Sequence, residues 1–157
     1  MVILLDTNLL LRYVEPGHDQ HEPTWKSVEY HRAIGNEIRV VPQNLYEFWT
    51  VATRPTDVNG LGLTPAQAAD EIRTIKTSFG FDNDHHTLCT EWQQLVETHG
   101  CLGKAAYDAR LVAAMKTLGI DAVLTFNTSD FKRYPDIIVL DPRIEAHKNI
   151  SSALETE

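Results

Sequence analysis

Four short apolar runs, at residues 2–5, 38–41, 122–125 and 137–140, are rich in valine, isoleucine and leucine and are parted by long helix-like stretches. Runs this short, without a regular polar face, suit strands buried on both sides, which is the condition of a parallel sheet. Parallel neighbours cannot be joined by a hairpin, so each needs a crossover, and helices supply it. The expectation is an α/β domain built on a central parallel sheet. At 157 residues the chain has room for one such domain, expected over residues 1–148, with a polar tail at 149–157 that frays.

The connecting segments carry their own punctuation. Leu9, Leu10, Leu11 and Val14 suggest a short helix after Asp6, stopped at Pro16-Gly17. Longer helices are expected at 23–34, 65–79, 84–99 and 103–118, with Gly35, Gly100 and Gly119 just past three of the ends. Thr64-Pro65 supplies a cap followed by proline at the first helical position. Asn44, with Glu47 three residues later, reads as a capping box opening a helix at 44–53. Residues 54–63 contain Pro55, Asn59, Gly60 and Gly62 and read as a loop, a candidate mobile element beside the site.

With 43% hydrophobic and 23% charged residues, the composition excludes a disordered or fibrous chain. No apolar stretch reaches membrane-spanning length, and the run at 2–5 ends in Asp6 with no basic flank before it, so no signal peptide is expected. Cys89 and Cys101 are too few for a disulfide framework and are read as free thiols, which points to the cytoplasm. The net charge of -8 argues against a broad basic nucleic-acid surface. The segment 100–134, however, holds five Lys or Arg against three acids, so the local field there is positive.

In an open parallel sheet, ligands bind at the carboxyl ends of the strands, and acids there are the first candidates for chemistry. Asp6 directly follows the first apolar run, with Thr7 and Asn8 beside it; a helix cap is its simpler role. Asp108 is harder to explain structurally, because Ala105, Leu111, Val112 and Met115 all lie within about 60° of it on a helical wheel. A carboxylate in an apolar stripe needs a cation, a hydrogen-bond network or a raised pKa, and an ion pair with Arg12 or Arg54 is the structural alternative. Glu47 falls in the first turn of a helix that follows a strand, with the capping box as its alternative. Thr125, Asn127, Ser129 and Asp130 follow the third run, where Asn127 and Asp130 can equally be turn formers.

Taken together, three acids and an Asn/Asp loop converge on one sheet edge. Such a cluster needs cations, and its oxygen-only donors suit Mg²⁺ or Mn²⁺ rather than zinc. A magnesium-type ion shares its shell readily with phosphate, which points to phosphodiester chemistry.

At these residues the sequence resembles the PIN-domain family and, within it, the VapC-type toxins of toxin-antitoxin modules. The matching pieces are Ile3-Leu4-Leu5-Asp6-Thr7-Asn8, Gln43-Asn44-Leu45-Tyr46-Glu47-Phe48, Asp108-Ala109, and the stretch from Leu124 through Thr125, Asn127 and Asp130 to Phe131. The resemblance implies a three-layer α/β/α sandwich with a short parallel sheet of about four to five strands. It implies an endoribonuclease whose Asp6, Glu47 and Asp108 bind Mg²⁺ or Mn²⁺, with Asn8 and Thr125 in support. The family's fourth acid stands two residues after the threonine, where this chain has Asn127; Asp130 is the residue that could replace or assist it. The likeness further implies a structured RNA substrate such as transfer RNA, a small antitoxin partner and a homodimer. In that setting Lys104, Lys132 and Arg133 are candidate RNA-phosphate contacts, and the products would carry 5′-phosphate and 3′-hydroxyl ends.

Two rival readings remain at this point. A phosphohydrolase of the haloacid dehalogenase type also opens with Asp after a buried strand, but it requires a second Asp where Asn8 stands. A non-enzymatic acidic module holding one structural cation is the other. His85-His86 lacks nearby cysteine partners for zinc, and Trp25, Trp49 and Trp92 are assigned to the core or to a dimer contact.

Overall fold

The computed structural model describes residues 1–149, so the tail expected at 149–157 falls, from residue 150 onward, outside the described residues. The chain runs β1 (Val2–Leu5), α1 (Thr7–Tyr13), α2 (His21–Ala33), β2 (Glu37–Val40) and α3 (Pro42–Ala52). A single 3-10 turn at Thr56–Val58 leads to α4 (Pro65–Ser78), β3 (Gly80–Phe81), α5 (Leu88–Thr98) and α6 (Ala105–Leu118). Then follow β4 (Ala122–Leu124), α7 (Thr128–Phe131), β5 (Ile138–Leu140) and α8 (Pro142–Glu145).

The strands form one sheet in the order β3-β2-β1-β4-β5, and every neighbouring pair is parallel. β1 is central, and Ile3, Leu4 and Leu5 are fully buried, as a strand covered on both faces requires. Alternation splits its side chains between two cores. Ile3 and Leu5 pack with Leu9, Leu10, Val28, Phe48 and Ile75 from α1 to α4. Leu4, together with Val123, packs with Leu95, Leu111, Val112 and Met115 from α5 and α6. The result is the α/β/α sandwich, each large side chain contributing roughly 1.5–3 kcal/mol on burial. Among the described residues no helix is long and apolar enough to cross a membrane.

Three expectations need correction. The helix predicted to open with Asn44 as its cap starts at Pro42, with Val41 as the capping residue, because proline is pre-set for the first helical turn. The fifth strand, the two-residue β3, pairs with β2 and agrees with the four to five strands expected. The loop at 54–63 is not a loose element: Gly60 N, Leu61 N, Gly62 N and Leu63 N donate to Pro55 O, Val51 O, Arg54 O and Ala52 O at 2.8–3.1 Å. It is wound back onto the end of α3. Likewise α5 begins at Leu88 rather than near residue 84.

Candidate active site

The chain leaves β1 to build β2 and β3 on one side, then returns to lay β4 and β5 on the other. The order therefore reverses between β1 and β4, and the crevice beyond those strand ends is where an open α/β sheet places its ligand site. The register pairs Leu5 with Leu124, so the next residues, Asp6 and Thr125, leave the sheet side by side. Thr125 Oγ1 donates to Asp6 Oδ2 at 2.6 Å. Asn8 Nδ2 donates to the same oxygen at 2.9 Å, and Thr7 N–H donates to Oδ1 at 2.7 Å. Asp6 thus caps α1 and faces the crevice at once.

Burial pushes the Asp6 carboxyl up to about 6. The Thr125 and Thr7 hydrogen bonds oppose that shift, while the nearby Glu47 and Asp108 charges add to it. The carboxyl is fully dressed and still resists ionisation, which is the condition that a bound cation relieves.

Glu47 arrives by a different route from the one expected. Because α3 starts at Pro42, Asn44 occupies the third helical position: its Oδ1 accepts from Val41 N at 2.9 Å and its Nδ2 donates to Leu5 O at 2.9 Å. Asn44 ties α3 to the end of β1. Glu47 is consequently one turn further along and has no capping duty. Gln43 Nε2 donates to its Oε1 at 2.6 Å, and Thr7 Oγ1 donates to its Oε2 at 2.7 Å. Gln43 is itself fixed, donating to Tyr107 O at 2.9 Å and accepting from Arg110 Nη1 at 3.1 Å, while Arg110 Nη2 donates to Asp84 at 2.7 Å.

Asp108 stands in the first turn of α6, half-buried rather than sunk in the core. Among the described residues it makes no ion pair: Arg12 is spent on Glu15, and Arg54 pairs with no carboxylate. Its carboxyl is also pushed up to about 6, first by burial and next by the charge on Asp130, with Glu47 adding and Lys104 and Arg133 opposing. Asp130, in α7, is therefore an electrostatic neighbour of Asp108, whereas Asn127 lines the crevice. Asn127 N–H donates to Thr125 Oγ1 at 3.0 Å. Lys132 is exposed and, among the described residues, makes no hydrogen bond or ion pair.

Asp6, Asn8, Glu47, Asp108 and Asn127 line one cavity of about 360 Å³. Among the described residues no three His, Cys, Asp or Glu side chains are gathered tightly enough to hold a metal ion unaided. The donor set nonetheless suits a hard divalent cation that keeps part of its water, since it is all oxygen. Asn8 Oδ1 is a buried carbonyl oxygen without a hydrogen-bond partner, and such an oxygen is a ready ligand.

The cavity also holds residues that the sequence did not single out for it. Thr50 and Val51 line it with Glu47 at the i, i+3 and i+4 spacing of one helix face, and Arg54 joins them from just past the end of α3. Gln43, one turn before Glu47, belongs to the same face. Once Glu47 is placed, that spacing is the signal that finds them. Of the tryptophans, Trp25 and Trp49 are 48% and 37% exposed, so neither belongs to the core. Trp92 is half-buried, and its Nε1 donates to Ala106 O at 2.8 Å.

The fold is similar to that of VapBC2 from Rickettsia felis, seen bound to a promoter DNA fragment, with a TM-score of 0.68 and 16% identity over 90% of this chain and 98% of that one. FitAcB from Neisseria gonorrhoeae gives 0.65 and 19% over 89% and 97%. VapC20 from Mycobacterium tuberculosis, described as a sarcin-ricin loop cleaving toxin, gives 0.56 and 18% over 77% and 86%. A comparison with curated protein sequences gives no match. The PIN-domain model matches residues 3–137, nearly the whole of the described chain, and sets aside the dehalogenase alternative: the protein belongs to the PIN-domain family.

Proposed function

We propose that this protein is a Mg²⁺- or Mn²⁺-dependent endoribonuclease of structured RNA, such as transfer RNA, and the toxin of a toxin-antitoxin pair. The observation that carries this reading is the sharing of one cavity by Asp6, Glu47 and Asp108, two of them with carboxyls raised to about 6. Support for the substrate class comes from the similar VapC20, described as cleaving the sarcin-ricin loop. Support for a small antitoxin partner comes from the VapBC complexes of the same fold.

Asp6, Glu47 and Asp108 would hold the cation, with the Asn8 carbonyl oxygen in support. Bound there, the ion would polarise the scissile phosphate and lower the pKa of an attacking water. The chain's own residues orient the acids: Thr125 and Asn8 grip one Asp6 oxygen, and Gln43 and Thr7 take one Glu47 oxygen each. Lys104 and Arg133, whose charges reach Asp108, would steady the RNA backbone, and Asn127 or Asp130 would complete the acid side.

Incubation of a labelled transfer RNA pool with the purified protein tests the reading. Cleavage in Mg²⁺ that stops in excess EDTA supports it, and undiminished cleavage in EDTA overturns it. Co-expression with the product of a neighbouring small gene tests the antitoxin, and light scattering tests the homodimer.

A further inference from the structure

Among the described residues, Arg54 is the one cationic side chain that lines the acid cavity. Arg12, Arg32, Arg39, Arg73, Arg110 and Arg143 all pair with carboxylates, and Arg133 reaches Cys101 Sγ. Among the described residues Arg54 alone of the arginines has neither a hydrogen bond nor an ion pair for its guanidinium. Three acids in the same cavity leave it unpaired. Asp6 and Asp108 take none of their main electrostatic influences from it. It stands two residues past the end of α3 and lines the same cavity as Glu47.

The backbone at Arg54 is built to hold that position. Arg54 N–H donates to Val51 O, and Arg54 O accepts from Gly62 N at 2.8 Å. Gly60 packs so closely that a Cβ there would lie 1.9 Å from Arg54 O and 2.5 Å from Arg54 Cβ. Asn59 and Gly62, both at positive φ, turn the loop tightly enough to make this contact. An unpaired guanidinium costs little while it is wet, yet here a wound loop fixes the root of the side chain beside the acids. A planar fork of donors of this kind matches the paired oxygens of a phosphate.

We propose that Arg54 grips the backbone phosphate next to the scissile one, so that a single RNA strand lies across the cavity from the acid end to the Arg54 end. This rests on the ribonuclease reading above and adds a substrate contact to it. It makes Arg54, rather than Lys132, the first phosphate contact outside the acid cluster.

The test is initial-rate cleavage of a fluorescently labelled, mixed-sequence RNA hairpin in Mg²⁺ over a series of KCl concentrations. Wild type is compared with Arg54→Gln and Arg54→Lys. Arg54→Gln is expected to raise KM about tenfold, with a much smaller change in kcat, and to flatten the dependence of log KM on log salt by about 0.7. Arg54→Lys is expected to restore the salt dependence. Circular dichroism at the assay temperature checks that each variant is fully folded, because a reversibly unfolded fraction would itself raise the apparent KM. An unchanged KM and salt slope in Arg54→Gln, or failure of Arg54→Lys to restore the slope, overturns the assignment while leaving the nuclease intact. Absence of any cleavage by the wild type overturns the nuclease reading itself, and this assignment with it.

Discussion

The buried Gln43 donates from Nε2 to Glu47 Oε1 at 2.6 Å, one helical turn away. The same amide group donates to Tyr107 O, and its oxygen accepts from Arg110. One buried side chain thus joins α3 to α6 and aims the acid that α3 contributes. Replacing it removes the aim and leaves partners unsatisfied on both sides.

Gln43→Leu is therefore expected to lose about 1–3 kcal/mol of stability, measured by urea denaturation, because the Tyr107 carbonyl and the Arg110 guanidinium lose a buried partner. Cleavage should fall at least tenfold at a temperature where the variant remains folded. A variant as active as wild type would show that Glu47 needs no such guide.

Asp108 behaves as a charge the fold does not want. Among the described residues it makes no ion pair, and burial with the Asp130 charge raises its carboxyl to about 6. Asp108→Asn keeps the shape and removes the charge. It should abolish RNA cleavage while leaving the metal-free melting temperature unchanged or higher, as read by calorimetry in EDTA. A clear drop in melting temperature would mark Asp108 as a structural residue.

The Asp6 carboxyl, raised from 3.8 to about 6, makes metal-free stability depend on pH in a stated direction. Between these values the folded state keeps a proton that the unfolded state has lost, so stability falls as pH rises from about 4 through 6. Its share approaches 3 kcal/mol for a group this deeply buried, and Asp108, half-exposed, adds less. His31, lowered by burial although the facing Glu145 opposes that shift, contributes in the opposite sense, so the comparison is made with Asp6→Asn, which isolates the Asp6 share. Wild type in EDTA should lose more stability than Asp6→Asn between pH 4 and pH 7. Mn²⁺ should raise the wild-type melting temperature more at pH 7 than at pH 5, since protons compete for the same oxygens.

Gly60→Ala places a methyl carbon on the Arg54 carbonyl, and the loop must shift to admit it. A cost of about 1–3 kcal/mol is expected in denaturant melts, in the range of an overpacked core. An alanine variant as stable as wild type would mean that residues 54–63 give way easily.

The sequence by itself determined the layers and the starting points of the site. Short apolar runs without an alternating polar face suit strands covered on both sides, which pointed residues 2–5 and 122–124 into a parallel sheet and left Asp6 and Thr125 at its edge. The apolar stripe of α6 marked Asp108 in the same way, because a carboxylate among leucines and valines needs a reason. Tertiary structure decided the rest. Strand register is a matter of pairing, so only the fold could set Leu5 against Leu124 and bring Thr125 Oγ1 onto Asp6. Local pattern read Asn44 as a cap; the proline at position 42 and the reach of Asn44 to Leu5 O moved the helix start and released Glu47 for the cavity. Residues 54–63 carry the composition of a loose loop, yet Leu61 N and Leu63 N bond to Val51 O and Ala52 O of α3, while Gly60 N and Gly62 N close the loop on Pro55 O and Arg54 O. That closure, which no local pattern encodes, holds Arg54 beside the acids.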